Sequence, residues 1–266
     1  MDRRRFLLVV AAGLTAAAAG RGFQGPVEPL AAPPSPRRVP AKVSAEPASA
    51  VAGLPAPTPA PTGVIDALPG EGRLLALTID DGTDSDVVAS FAEFAVDTGV
   101  RLTFFPNGSY GSWTDNARAL RPLVDSGQVA LGNHTWSHPD VTTLSDGEVA
   151  AEISRNREFL RDVFGVENTP FFRPPFGSHD ERTDRIAADL GHPTITLWNG
   201  TFEDSRPVNG HDLVQAAKRW FRLQTIVVGH ANQPAVTTVY DELLAIIEQR
   251  RLTTVTLADV WSPAAS

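Results

Sequence analysis

Six short apolar or β-branched runs recur along this chain, at Arg73–Ile79, Arg101–Phe105, Gln128–Leu131, Pro193–Trp198, Thr225–Val228 and Thr253–Leu257. Helix-like patterns separate them. Asp86–Thr98 has apolar residues at Val87, Val88, Phe91, Phe94 and Ala95, a spacing that lines one helical face. Ser145–Phe164 opens on Ser145-x-x-Glu148, a capping box, and continues with Val149, Ile153, Phe159, Leu160 and Val163 at helical spacing. Asn116–Ser126, Arg182–Leu190, His211–Phe221 and Val239–Arg250 complete the set. Alternating strands and helices predict a parallel α/β sheet or barrel, because parallel strands need crossover connections and the helices then cover the sheet. There is no internal sequence repeat.

Folds of this kind place their active sites at the carboxyl ends of the strands. The residues just after the runs are polar: Asp80-Asp81-Gly82, Asn107-Gly108, His134 to His138, Trp198 to Asp204, and His230. A barrel would gather them on one rim.

Composition limits what surrounds this domain. Twelve of the 22 prolines lie between Pro26 and Pro69, in a stretch of Ala, Pro, Val, Ser and Thr without periodicity. Residues 25–70 are therefore expected to form a semi-rigid linker, and residues 71–262 a single catalytic domain. Residues 1–70 hold seven Lys/Arg and four Asp/Glu, so the total of −8 leaves −11 on residues 71–266. That acidic balance argues against nucleic acid as a partner. The absence of cysteine excludes disulfides, thiolate metal sites and a cysteine nucleophile. The start, MDRRRFLLVVAAGLTAAAAG, has the basic, apolar and small-residue order of an export signal. Its Arg3-Arg4-x-Phe6-Leu7 resembles the twin-arginine type, with a retained membrane anchor as the alternative. Residues 1–24 are read as that signal. The domain is then expected outside the cytoplasm, as a monomer, secreted or attached to the cell envelope.

At the rim, two readings of ALTIDDG compete. Asp-Gly after apolar residues signals a hairpin turn, whereas two adjacent carboxylates at a strand end can divide catalytic work. His134 and His138, four apart in GNHTWSHP, are expected on one face of a helical turn that Pro139 stops. Two His and one carboxylate form a catalytic metal set with open positions, although hydrogen-bonded surface histidines remain the plainer reading of this pair alone.

Taken together, these residues resemble the NodB-homology polysaccharide deacetylases, or carbohydrate esterase family 4. Thr78-Ile79-Asp80-Asp81-Gly82 is similar to the family's first motif, and His134-x-x-x-His138 to its second. Arg173-Pro174-Pro175-Phe176-Gly177 resembles the third, Leu197-Trp198 followed by Asp204 the fourth, and Val228-Gly229-His230 the fifth. The motifs run in the family's order from Leu74 to Trp261, and Thr103-Phe104-Phe105 matches a further phrase. The resemblance implies a distorted (β/α) barrel and a divalent metal, most often Zn²⁺, on Asp81, His134 and His138. It assigns Asp80 as general base, His230 as general acid, Arg173 as the residue orienting Asp80, and Asp204 as the partner of His230. Pro174, Phe176, Gly177, Trp198 and Ser205 are then expected around the substrate and its oxyanion. The implied reaction removes acetyl groups from an acetylated polysaccharide, N-acetylglucosamine-type in cell wall or matrix.

Some positions depart from the family. Ser205 stands where a Trp usually walls the acetyl pocket, Thr201 where an acid is common, and Phe176 where Tyr is common. Trp136 is a candidate to cover the gap. Two rivals follow: a catalytically weak glycan-binding relative, and a non-haem iron enzyme, which also uses two His and a carboxylate. His179, His192 and His211 read as surface or capping residues. Trp113 and Trp220 read as packing, with Trp113 and Tyr110 as an alternative sugar platform.

Overall fold

The Leu74–Asp81 run becomes the central strand because it is covered on both sides, which is why it reads as continuously apolar rather than alternating. In the computed structural model the described residues are 54–263. The signal-like segment and residues 25–53 lie outside them. The strands are β1 (Thr58–Pro59), β2 (Gly63–Ile65), β3 (Leu74–Asp81), β4 (Leu102–Pro106), β5 (Val129–Leu131), β6 (Phe171–Phe172), β7 (Thr194–Thr196), β8 (Gly200–Thr201), β9 (Thr225–His230), β10 (Thr253–Thr254) and β11 (Trp261–Ser262). The helices are α1 (Ser85–Thr98), α2 (Gly111–Asp115), α3 (Ala117–Asp125), α4 (Asp146–Phe164), α5 (Glu181–Asp189), α6 (Gly210–Trp220) and α7 (Tyr240–Gln249).

One sheet runs β5-β4-β3-β9-β8, with β10 beside the start of β3; a second runs β2-β7-β6; β1 pairs with β11. All of these ladders are parallel. A bridge from Asn133 to Phe172 joins the two larger sheets on one side. On the other, Leu197 N–H donates to Ile65 O and Asn199 N–H to Ile226 O. The result is a distorted (β/α) barrel in a single domain. No helix among the described residues is long and apolar enough to cross a membrane.

Helix ends follow local chemistry. Asp84 caps α1 by accepting from the Asp86 and Val87 N–H groups, and Gly99 ends it at φ 73°. The Ser145–Glu148 capping box starts α4 as its sequence predicts.

Alternation along β3 sets the interior. Leu75, Leu77 and Ile79 join the core under the helices, while Ala76 packs with Phe105, Phe171 and Ile226 in the second cluster. Thr78 and Asp80 share the parity of Ala76, and both touch the buried Arg173.

The linker expectation needs correction over its described part. Residues 58–65 supply β1 and β2, and Leu68 is buried in the Phe105–Trp261 cluster. Strands of two or three residues carry no readable periodicity. Their order comes from partners much later in the chain, Trp261–Ser262 and Thr194–Thr196.

Candidate metal centre and acid–base pair

β3 ends with its backbone reversed. Continued alternation would turn Asp81 toward the helices with Ile79, but Asp81 adopts φ 66°, and Gly82 follows at 91°. A non-glycine residue there costs on the order of 1–3 kcal/mol and must be held by its surroundings. Trp113 Nε1 donates to the Asp81 carbonyl at 2.7 Å, Asn107 N–H donates to the same oxygen, and Asn232 Nδ2 donates to Asp81 Oδ2. Gly82 is required beside Trp113, since a Cβ there would lie 2.4 Å from the indole. His138 and Phe176 also have positive φ, so strain concentrates at this rim.

The reversal brings Asp81 between the histidines. His134 Nε2 and His138 Nε2 each lie 3.3 Å from Asp81 Oδ1, and these three ligand atoms fall within 4.8 Å of one another. His134 Nδ1 donates to the Arg173 carbonyl at 2.6 Å, which turns its Nε2 lone pair inward. The expected helical turn is absent: residues 132–140 contain no helix, and Thr135 and His138 have φ of 67° and 62°. Loop strain, not helical pitch, makes the rings converge.

The donor set suits a divalent cation. Asp81 Oδ1 is buried and has no hydrogen-bond partner, while the opposite oxygen is satisfied. A buried carboxylate oxygen left bare between two imidazole nitrogens is costly unless a cation covers it. Burial pushes the Asp81 carboxyl up, but the close approach and charge of His134, with the charges of His138 and His230, hold it well below the usual range. Burial and the neighbouring His134 lower His138 against the pull of Asp81 and Asp80, favouring the neutral imidazole that a metal needs.

Asp80 keeps to the inward column. Arg173, fully buried, donates through Nη1 to Asp80 Oδ1 at 2.7 Å and to Thr78 Oγ1 at 2.8 Å. Its Nε donates to Thr196 O, and its guanidinium lies 4.2 Å from the Phe105 ring centroid. Asp80 Oδ2 is left toward His134 Nε2, 3.9 Å away.

Across the rim, His230 ends β9. Asp204 Oδ1 lies 2.7 Å from His230 Nδ1, and Asp204 Oδ2 accepts the His230 N–H. Burial alone would lower His230; the Asp204 hydrogen bond and charge, with Asp80 and Asp81, outweigh it and push it up to about 9. Nε2 therefore carries a proton at neutral pH.

A cleft of about 470 Å³ joins these groups, lined also by Pro174, Phe176, Gly177, Trp198 and Ser205. Every candidate site residue except Arg173 and Asp204 lines it, and those two lie directly behind Asp80 and His230. Phe176 is 70% exposed, with its ring edge-on to His138 at 4.6 Å. Trp136 does not cover the gap at exposed Ser205. Its ring lies 4.0 Å from the Arg155 guanidinium and packs edge-on against Phe159.

Several supporting residues escaped the sequence reading. Asn133 Nδ2 donates to Ile153 O and its Oδ1 accepts from Thr135 N–H and Asn156 Nδ2, fixing the loop that carries both histidines. Asn156 was legible as a polar residue on the apolar face of α4, and Asn133 by its place beside His134. Trp113 is buried packing, not a platform, and nothing local announced its bond to Asp81. Asn232 gave no signal.

His192 corrects the surface reading. It is 1% exposed, with Nδ1 donating to Thr169 O at 2.7 Å and Nε2 accepting from Asn133 Nδ2. Burial lowers it to about 4, aided by Arg157 and opposed by the Thr169 hydrogen bond. Unfolding restores a value near 6.5, so the unfolded chain binds the proton first and stability is lost as pH falls from 6.5 to 4. The expected loss approaches about 3 kcal/mol at pH 4. Urea unfolding of wild type and His192→Asn across pH 4–7 checks this: the variant should be less stable at pH 7 but have a shallower slope, and parallel slopes would refute it.

A parallel barrel with two His and an Asp converging at its carboxyl rim, opposite an Asp–His pair, defines the class: a metal-capable barrel with a built acid–base site. The family model described as polysaccharide deacetylase matches residues 68–195. Chitin deacetylase 1 of Cryptococcus neoformans var. grubii is 35% identical over 135 residues, covering 50% of this chain and 27% of that protein. A family 4 carbohydrate esterase from Streptomyces lividans, solved with acetate, superposes with a TM-score of 0.62 at 23% identity over 71% of this chain and 95% of that one. A CE4 family pseudoenzyme from Bacillus anthracis superposes at 0.67 with 21% identity, over 76% and 70%. The chain thus matches the polysaccharide deacetylase family over residues 68–195 and shares the fold of the solved CE4 structures. It spans about half or less of the length of the curated relatives it matches.

Proposed function

We propose that this protein is an exported, metal-dependent deacetylase of an acetylated polysaccharide, with an N-acetylglucosamine-type polymer as the favoured substrate. The observation that carries the reading is the bare, buried Asp81 Oδ1 between His134 and His138, flanked by an Arg-held carboxylate on one side and an Asp-held imidazole on the other. A divalent cation on Asp81, His134 and His138, Zn²⁺ by preference, would supply Lewis acidity that activates water near neutral pH and polarises the acyl carbonyl.

The chain's own groups divide the remaining work. Asp80, held through Oδ1 by Arg173 and open at Oδ2, takes the proton from the attacking water as its oxygen bonds to the acyl carbon. His230, protonated at Nε2, delivers a proton to the departing nitrogen as the C–N bond breaks, leaving acetate and a free amine. Without that proton an amine is a poor leaving group. In the Arg173–Gly177 turn the Arg173 N–H donates to Asn133 O and the Gly177 N–H to Pro174 O, and the two prolines have none; the Phe176 N–H is the remaining amide, suited to the developing oxyanion.

Two rivals are weaker. A silent glycan-binding protein has no need of both the Arg173–Asp80 and Asp204–His230 pairs. An iron oxygenase needs open metal positions but no separate acid. The exported location rests on the basic and apolar N-terminal segment. Zn²⁺-loaded protein is expected to release acetate from chitin oligomers, and peptidoglycan and acetylxylan measured beside them set the preference. Glycan binding with no acetate from any of the three would transfer the reading to the silent relative.

A further inference from the structure

We propose that Asn232 is a positioning residue for Asp81, presenting one carboxylate oxygen to the metal and withholding the other. This rests on the reading of Asp81, His134 and His138 as a metal centre. Asn232 Nδ2 donates to Asp81 Oδ2 at 2.7 Å, while Oδ1, the oxygen facing both histidines, has no hydrogen-bond partner. The two oxygens of one buried carboxylate are thus treated differently, and Asn232 makes the difference.

The amide cannot turn round. Asn232 Oδ1 accepts the Thr83 N–H at 2.9 Å, and a backbone N–H can only donate. Oxygen must face Thr83, so the NH₂ must face Asp81. The segment beneath is stitched to the end of β3 as well: Ala231 N–H donates to Asp80 O, and Asp84 N–H donates to Ala231 O. Asn232 lies two residues beyond His230, so the strand that carries the acid also orients the metal ligand across the cleft.

Without the amide donor, Asp81 Oδ2 loses its hydrogen bond and the carboxylate is free to rotate or to offer both oxygens. Groups that orient ligating carboxylates in this way typically change metal affinity by about 10–100-fold when removed. Asn232 is only partly buried, and its replacement leaves the core intact.

The test is Zn²⁺ affinity by chelator competition in wild type, Asn232→Leu and Asn232→Ala, with the thermal midpoint of each metal-free protein. Both variants are expected to bind Zn²⁺ about 10–100-fold more weakly, with metal-free midpoints lowered by no more than about 4 °C. A merely structural role would lower the midpoints and leave the affinity in place. Affinities within twofold of wild type overturn the assignment of Asn232 while sparing the metal centre. Failure of wild type itself to bind Zn²⁺ overturns both. If the leucine variant does not fold, the alanine variant is read by the same standard.

Discussion

Asp80→Asn is expected to lower kcat for acetate release by about 10²–10⁴-fold, the range general-base catalysis contributes, while the protein retains its metal. Asn matches the volume of Asp and still accepts a hydrogen bond from Arg173, but it cannot take a proton from water. The separation is possible because Asp80 and Asp81, although adjacent, leave β3 in different directions: Asp80 continues the inward column, and Asp81 reverses at φ 66°. The same substitution strands a charge. Arg173 and Asp80 are both buried, and removing one partner of such a pair costs about 3–5 kcal/mol. The lower end applies here, since Thr78, Thr196 and Leu197 still accept from the guanidinium. Metal content by elemental analysis, kcat and urea unfolding on one preparation separate these effects. A variant with kcat within twofold of wild type would remove Asp80 from the role of base.

His138→Ala is expected to abolish acetate release and stoichiometric metal binding together. The three ligand atoms form the only such cluster among the described residues, and two ligands do not compensate for a lost third. Wild type should be stabilised by added Zn²⁺, by about 4 kcal/mol at a thousandfold excess over Kd, and should lose that gain with a chelator. The variant should show neither response. The left-handed φ strains His and Ala alike, but losing the imidazole's packing against Phe176 changes stability without metal, so the midpoint shift on adding metal is the measurement, not the midpoint itself. A variant that still gains stability from Zn²⁺ would place the ion elsewhere.

The legible parts of this molecule share one property: their information is local. The capping box at Ser145, the apolar face of α1 and the long β3 run each lie within a window of about four to fifteen residues, the range over which helical and strand periods can be read. The rim residues were legible as types at strand ends, and the five motifs brought the same residues forward. The two-residue strands β6 and β8, and β1 and β2 in the proline-rich stretch, were not, because pairing partners distant in sequence impose their extended form.

The side chains that the sequence misjudged failed for the same reason. His192 reads as a surface residue until Asn133 and Thr169 enclose it. Trp136 reads as free to wall the cleft until Arg155 and Phe159 hold it against α4.

By itself, the sequence determined an α/β domain with acids, histidines and an arginine placed after its strands, for those patterns are written in neighbouring residues. Only the tertiary structure decided which oxygen of Asp81 faces the histidines, that a loop at positive φ converges His134 and His138, and that residues 58–65 belong to the barrel. The physical reason is reach. Each depends on groups that the chain brings together from strand ends as far apart as Asp81 and Asn232, and no local pattern records a contact across that distance.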